Sequence, residues 1–499
     1  MTPEVRVPAG VLRGSWESGV AVFRGIPYAA PPVGAHRFAA PQPALAWDGV
    51  RPAVAFGPPP PQTDDDGGEG GEGGDWLTVN VWSPDPGRAV HLPVLVWIFG
   101  GAYTIGAANR PEYDGANLAR GGVVVVTFNY RLGIEGFAEI AGAPPNRGLL
   151  DQVAALHWVR DHIAAFGGDP ANVTVFGESA GGGSVAALLA MPRARGLLRR
   201  AVVQSMPGTF FAPELAADIA AACAGELGLR PTTEDLAAVD PAMLVLAADA
   251  VSATMSGQAA RWGRPALREI LFAPVVDGEV LPVTPWQALA AGAGREVDLL
   301  AGHTRDEHRL FTLFTGYLGQ VTPEQAEFAL RVFGPGPDGV RRYRAAYPRA
   351  GADELFELVH SDWLFRMPSL RLAEAQVEGG GRAYLYELAW GAPGLGGVLG
   401  ACHGLDVPLV FGNLTGSRPA MLIGDGPGAA AVELSARMRA AWTAFAAGGD
   451  PGWPAYESEG RLTRIWDAEP VVAAYPEEGS RRIWQDHEFA PLGLRGADS

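Results

Sequence analysis

From Val173 the chain reads Val173-Thr174-Val175-Phe176-Gly177-Glu178-Ser179-Ala180-Gly181-Gly182-Gly183, and few folds accommodate such a stretch. Val173, Val175 and Phe176 are β-formers in a short apolar run, and Ser184 to Leu189 read as helix, so a single serine is left at a strand-to-helix corner. A Gly-x-Ser-x-Gly corner forces its central residue into a strained backbone conformation and lifts the hydroxyl clear of the sheet. Gly177 and Gly181 supply the missing side chains where strand and helix pass closest. In a chain with 67 glycines the pentapeptide by itself decides little. The strand before it and the helix after it make Ser179 a candidate nucleophile.

The chain has 499 residues, 48% of them hydrophobic, enough to bury a large core. α/β folds run long as single units with insertions, so one domain over residues 1–499 is expected. A formal charge of −17 argues against a nucleic-acid backbone or an anionic membrane as partner. There is no lysine, all 38 basic residues being arginine. That excludes Ser-Lys hydrolases, Schiff-base enzymes and P-loop nucleotide hydrolases, each of which needs a lysine amine. The only cysteines are Cys223 and Cys402, too few for a disulfide framework or a metal cluster. The opening residues, Met1 to Arg6, have neither a basic n-region nor an apolar h-region, and no run reaches about 18 apolar residues. A soluble, cytoplasmic protein is expected.

Short strands are predicted at Val5 to Val11 and Val20 to Gly25. Residues 58–74, with a proline run, Asp64-Asp65-Asp66 and a Gly/Glu tract, cannot bury apolar area and are expected to form a mobile loop. Strand-like sequence resumes at Leu77 to Trp82. Leu92 to Phe99 and Val123 to Phe128 are near-continuous apolar runs, the signature of buried parallel strands. Leu149, Val153, Leu156, Val159, Ile163 and Phe166 form the stripe of a helix packed on a sheet. Further strands are predicted at Ala201 to Gln204, Val297 to Ala301 and Ala383 to Leu388. Residues 321–378 read as inserted helices forming a lid or wall, and Val432 to Ala447 as the last helix.

A serine hydroxyl needs a base within hydrogen-bond reach and an anion to orient that base. In this architecture the order along the chain is serine, acid, histidine, each on a loop at the carboxyl ends of strands. The segment after the strand at 297–301 carries Asp306 and Glu307, and order alone does not choose between them. Of nine histidines, His157 and His162 lie in the amphipathic helix, His36, His91 and His487 in surface segments and His360 in the inserted helices. His303 and His308 flank the acid. His403, which follows both the acid loop and the next strand, is the candidate base. An oxyanion hole needs the N–H after the serine, here Ala180, and N–H groups from an earlier βα loop, here Phe99-Gly100-Gly101-Ala102.

The chain resembles the type-B carboxylesterases, the α/β-hydrolase family that includes bacterial para-nitrobenzyl esterases and cholinesterases. The likeness runs from Phe23 to Ala29 through Pro31 to Gly34, Leu77 to Trp82, Asn129 to Gly133 and Asn146 to Asp151. It continues through Phe166 to Pro170, the serine corner, Thr304 to Glu307, His403 and Phe411 to Leu414. The resemblance implies an α/β-hydrolase fold, with a central, mostly parallel sheet flanked by helices. It also implies cofactor- and metal-independent ester hydrolysis by a Ser179–His403–Glu307 triad. Gly101, Ala102 and Ala180 would be the oxyanion donors, with Ser205 and Glu178 supporting the triad from behind, and Asp306 would be a loop or ion-pair residue. Family members often carry His-Gly-Gly-Gly in the oxyanion loop. Phe99 and Ala102 replace its first and last residues here, changes that keep the backbone N–H groups. Trp76 stands where secreted relatives have cysteine, which fits an intracellular enzyme, and Met206 stands where glycine is usual.

The expected partner is a small-molecule ester, with neither nucleic acid nor membrane; a monomer is the working expectation for an otherwise open oligomeric state. An amidase or carbamate hydrolase on the same triad is the nearest alternative. A non-catalytic cholinesterase-like binding protein is the other, although such proteins usually lose a triad member.

Overall fold

The computed structural model describes residues 2–63, 74–87 and 90–495. Most of the segment expected to be a mobile loop, residues 64–73, lies outside the described residues. Eleven strands form the main sheet, in the spatial order 15–17, 20–27, 78–83, 124–128, 92–98, 168–178, 200–204, 298–304, 383–388, 462–466 and 471–474. Strands 124–128 through 462–466 run parallel, while the edges are antiparallel. Every residue of Val124–Phe128, Arg200–Gln204, Asp298–Thr304 and Ala383–Leu388 is buried. Parallel strands covered on both faces need continuous apolar runs, which is why these were legible. A smaller sheet joins Glu4–Val7, Gly10–Arg13 and Val50–Pro52, so the first predicted strand is a hairpin with its turn at residues 8 and 9.

Strand register sets the site. Ile98 pairs with Gly177, Glu178 with Gln204 and Gln204 with Gly302, so four strands end together. The crevice outside such carboxyl ends is where open α/β sheets carry their chemistry. Two helices bear directly on the serine corner. Arg147–His162 packs against the strand leading into it, and Ala180–Ala190 starts immediately after it. Residues 323–378 form the helices Pro323–Phe333, Gly339–Ala346, Ala352–Ser361 and Met367–Glu378, the last two joined by a π-helical turn over Asp362–Arg366.

The C-terminal expectation needs correction. The helix is Ala429–Gly448, and it is followed by strands Leu462–Trp466 and Val471–Ala474 and by the helix Glu478–Trp484. The edge strand Val471–Ala474 is largely exposed and only four residues long, too short and one-sided to give a periodic signal.

Candidate active site

Ser179 occupies the corner with φ 57° and ψ −127°, a conformation that costs a non-glycine residue roughly 1–3 kcal/mol and survives only where the surroundings enforce it. They do so here. The Ser179 amide donates to the Gln204 carbonyl at 3.0 Å, and the Ser179 carbonyl accepts from the Gly183 amide at 2.9 Å. A Cβ on Gly177 would stand 2.6 Å from Gly181 backbone, and one on Gly181 would strike the Ile98 carbonyl. Between Val173 and Ala190 Ser179 alone is not buried, so the hydroxyl is presented to solvent.

The loop Phe99-Gly100-Gly101-Ala102 closes over it. A Cβ on Gly100 would lie 2.9 Å from Ser179 Cβ, so this glycine lets the loop approach the nucleophile. The Gly101 carbonyl accepts from the amides of Thr104 and Ile105, both at 3.0 Å. Tyr130 anchors the entry by donating its hydroxyl to the Phe99 carbonyl at 2.7 Å and stacking on the Phe99 ring. Ala102 and Tyr103 have φ of 53° and 62°. Among the described residues, the amides of Gly101, Ala102 and Ala180 have no hydrogen-bond acceptor.

An isolated bridge between Asp306 and Cys402 sets the acid loop beside the histidine loop. His403 Nδ1 donates to Glu307 Oε2 at 2.6 Å, while Glu307 Oε1 accepts from the Thr304 amide at 2.9 Å. Burial pushes the Glu307 carboxyl up, but the His403 charge and hydrogen bond outweigh it and hold the carboxyl below its ordinary range. For His403 burial acts downward, and the carboxylates of Glu178 and Glu307 reverse it, so the imidazole titrates above its ordinary value. Asp306 turns the other way. Its Oδ2 accepts from the Ala401 amide at 2.8 Å, and its carboxylate lies 3.2 Å from Arg305 and 3.6 Å from Arg309.

Ser205, fully buried at φ 46°, stands close enough to help lower Glu307, yet its hydroxyl makes no well-aligned hydrogen bond. Glu178 Oε1 lies 3.1 Å from His403 Nε2, and no hydrogen bond joins that nitrogen to Ser179 Oγ among the described residues. Burial pushes Glu178 up to about 7 against the opposing pull of His403. Met206 is completely buried in the core.

Sequence reasoning missed several groups. Phe365, on the π-helical turn, stacks on the His403 ring at 4.2 Å, and Phe311 lies 5.2 Å away, tilted. Asp406 Oδ2 accepts from Gln204 Nε2 at 2.9 Å and from the Tyr386 hydroxyl at 2.8 Å, adding a third buried carboxyl to the histidine's surroundings. Only Asp406, three residues after His403, was within reach of a spacing argument.

A strained serine, an imidazole held by a buried carboxylate and unoccupied amides converge at one sheet edge, the set that acyl transfer requires. No group of three or more His, Cys, Asp or Glu side chains suited to a metal ion occurs among the described residues, and no helix there is long and apolar enough to cross a membrane.

The carboxylesterase family model matches residues 1–331. The chain is 39% identical over 491 residues to a para-nitrobenzyl esterase of Bacillus subtilis, spanning 95% of this chain and 96% of that one. It is 34% identical to a fumonisin B1 esterase of Sphingopyxis macrogoltabida, over 91% of this chain and 84% of that one. A solved carboxylesterase of Geobacillus stearothermophilus superposes with a TM-score of 0.85 at 37% identity, covering 97% of this chain and all of that one. The helix-flanked mixed sheet is therefore the α/β-hydrolase fold, and the chain belongs to the carboxylesterase family, whose members hydrolyse carboxylic esters.

Proposed function

We propose that this carboxylesterase works through Ser179 as nucleophile, His403 as base and Glu307 as the acid that orients it. The 2.6 Å bond from His403 to Glu307, at the same strand ends as the strained Ser179, carries the assignment. In this reading His403 Nε2 leaves Glu178 and takes the Ser179 proton as Oγ attacks the ester carbonyl. The oxyanion that forms accepts from the amides of Gly101, Ala102 and Ala180. Collapse breaks the C–O bond to the alcohol, which departs with the proton from Nε2. Water then adds to the acyl-serine by the same steps and releases the acid. Throughout, the Nδ1 proton stays on the imidazole and Glu307 stabilises the cation.

Ser205 and Glu178 are supporting groups in this proposal, acting on Glu307 and on His403 respectively. Residues 1–499 act as one catalytic unit whose inserted helices wall the site, a reading supported by Phe365 reaching His403 from residues 321–378. The substrate is a small-molecule ester, hydrolysed by a monomer in the cytoplasm; the two unpaired, buried thiols support that setting. Ser179→Ala tests the core of the proposal. It is expected to lower turnover of para-nitrophenyl acetate and butyrate by about 10⁴ or more and to abolish organophosphate labelling, with the melting temperature kept. Normal labelling of the variant would overturn it.

A further inference from the structure

Ala102, one of the proposed oxyanion donors, has φ 53° and is exposed, so its own methyl group is not what holds it there. A non-glycine residue stays in the left-handed region only where its surroundings enforce it. Here they act through the next residue. Tyr103, at φ 62° and 2% exposed, accepts from the Gly133 amide at 2.7 Å through its carbonyl, and its ring packs on Phe137 at 4.6 Å. Its side chain reaches the helix Ala180–Ala190, whose first amide, that of Ala180, is another of the proposed donors. There the hydroxyl lies against Gly183: a Cβ on that glycine would stand 2.6 Å from Tyr103 Oη.

The hydroxyl is the unexpected part of this contact. It is buried without a well-aligned hydrogen bond, although Ser184, which accepts from Gln152 Nε2 at 3.0 Å, stands close enough to act on it. Burying a hydroxyl with no firm partner is costly, and phenylalanine would avoid that cost. What the oxygen supplies is length. It fills the space that Gly183 leaves open, so that loop and helix meet at a set distance. That distance matters because an oxyanion is held only by donors about 2.7–3.1 Å from it, and Ala102 and Ala180 stand on two different elements.

We infer that Tyr103 is a positioning residue for ester hydrolysis: it braces the loop carrying Gly101 and Ala102 against the helix headed by Ala180, and its hydroxyl on Gly183 sets their spacing. This role rests on those three amides being the oxyanion donors, and Tyr103 acts through them.

The test measures kcat and KM for para-nitrophenyl butyrate, per active site titrated with organophosphate, together with the Ki of butyl trifluoromethyl ketone. Ser179 Oγ adds to the ketone carbonyl, its proton passes to His403, and the hemiketal oxygen carries the negative charge that the hole must hold. Wild type is compared with Tyr103→Phe, Gly183→Ala and the double variant. Tyr103→Phe keeps the ring and loses the spacer, so kcat is expected to fall and Ki to rise about threefold to tenfold, with KM little changed. In Gly183→Ala the new methyl group needs the place of the hydroxyl. Both effects are then expected to reach about tenfold to a hundredfold, short of the roughly 10²–10³ that deleting a donor costs. Without Oη, the atoms nearest the new Cβ are those of Pro207, at 3.3 and 3.4 Å, so the double variant is expected to recover to the level of Tyr103→Phe alone. A double variant no better than Gly183→Ala overturns the inference, and so does a loss of kcat with Ki unmoved. If Gly183→Ala does not fold, Tyr103→Phe decides, and unchanged kcat and Ki overturn the inference. In all these outcomes the ketone still inhibits the wild type. A wild type that hydrolyses the ester and escapes the ketone would instead overturn the oxyanion donors themselves, and the role of Tyr103 with them.

Discussion

At the scale of single residues, the chemistry depends on which carboxylate faces which edge of His403. Asp306 and Glu307 are adjacent, and a loop sends neighbours to opposite sides. Glu307 reaches the imidazole, and Asp306 is tied to the Ala401 amide and two arginines. Glu307→Gln is therefore expected to lower ester turnover by about 10³ to 10⁴, through loss of tautomer control and of imidazolium stabilisation. Asp306→Asn is expected to lower the melting temperature with far less effect on turnover, and a crippled Asp306→Asn with an active Glu307→Gln would reverse the assignment. Glu178 acts on the other edge. A base must be neutral to accept the serine proton, so kcat/KM falls as pH drops through the His403 pKa. Burial pulls that pKa down, and Glu178 is the strongest influence raising it. Glu178→Gln is accordingly expected to move the acid limb of the kcat/KM profile to lower pH, measured on one neutral ester in both proteins. An unmoved limb would mean that the 3.1 Å contact is broken in the working enzyme.

At the scale of elements, the elbow is a clash-limited joint. Gly181 has no room for a methyl group because the obstacle is the Ile98 carbonyl, backbone of the neighbouring strand. Neither strand nor helix can shift without pulling Ser179 out of register, so Gly181→Ala is expected to leave little folded protein or a melting temperature lowered by several degrees, checked by calorimetry. This joint and the strands around it were legible because local rules dictate them: glycine where backbones touch, and unbroken apolar runs where a parallel strand is covered twice. The proposed nucleophile, base and oxyanion loop were read as candidates on the same grounds, each standing at the end of a readable strand. Phe365 could not. It lies 38 positions before His403 in an unremarkable helical pattern, and it meets the imidazole only because a π-helical turn at Asp362–Arg366 resets the helix face. Leu462–Trp466 escaped notice because Thr463 and Arg464 interrupt its apolar run, and pairing with Ala383–Leu388 overrides the local signal.

At the scale of the whole molecule, a sheet of eleven strands sheathed by helices buries ionisable groups far from the site, and these shape stability more than catalysis. Glu387 is the clearest case. It sits 1% exposed in the strand Ala383–Leu388, opposite His303 in the register. His303 offers it no charge. Burial holds that imidazole near 4, its Nδ1 donates to the Thr304 carbonyl, and its Nε2 accepts from the Tyr475 hydroxyl. Burial chiefly, with Glu477 adding to it, pushes the Glu387 carboxyl up to about 8 from an ordinary 4.5. The unfolded chain thus gives up this proton near pH 4.5, whereas the folded chain keeps it to about pH 8. Between those limits the folded state binds the extra proton, so Glu387's contribution to stability, full below the lower limit, is lost as pH rises toward the upper one. Glutamine has the same shape and no proton to lose. Glu387→Gln is therefore expected to gain on the wild type steadily across that window, by up to about 1.4 kcal/mol per pH unit, with a level difference on either side. Urea midpoints of both proteins at pH 5, 6.5 and 8 measure the gain, and a difference that does not change with pH would show that the carboxyl is ionised in the folded protein.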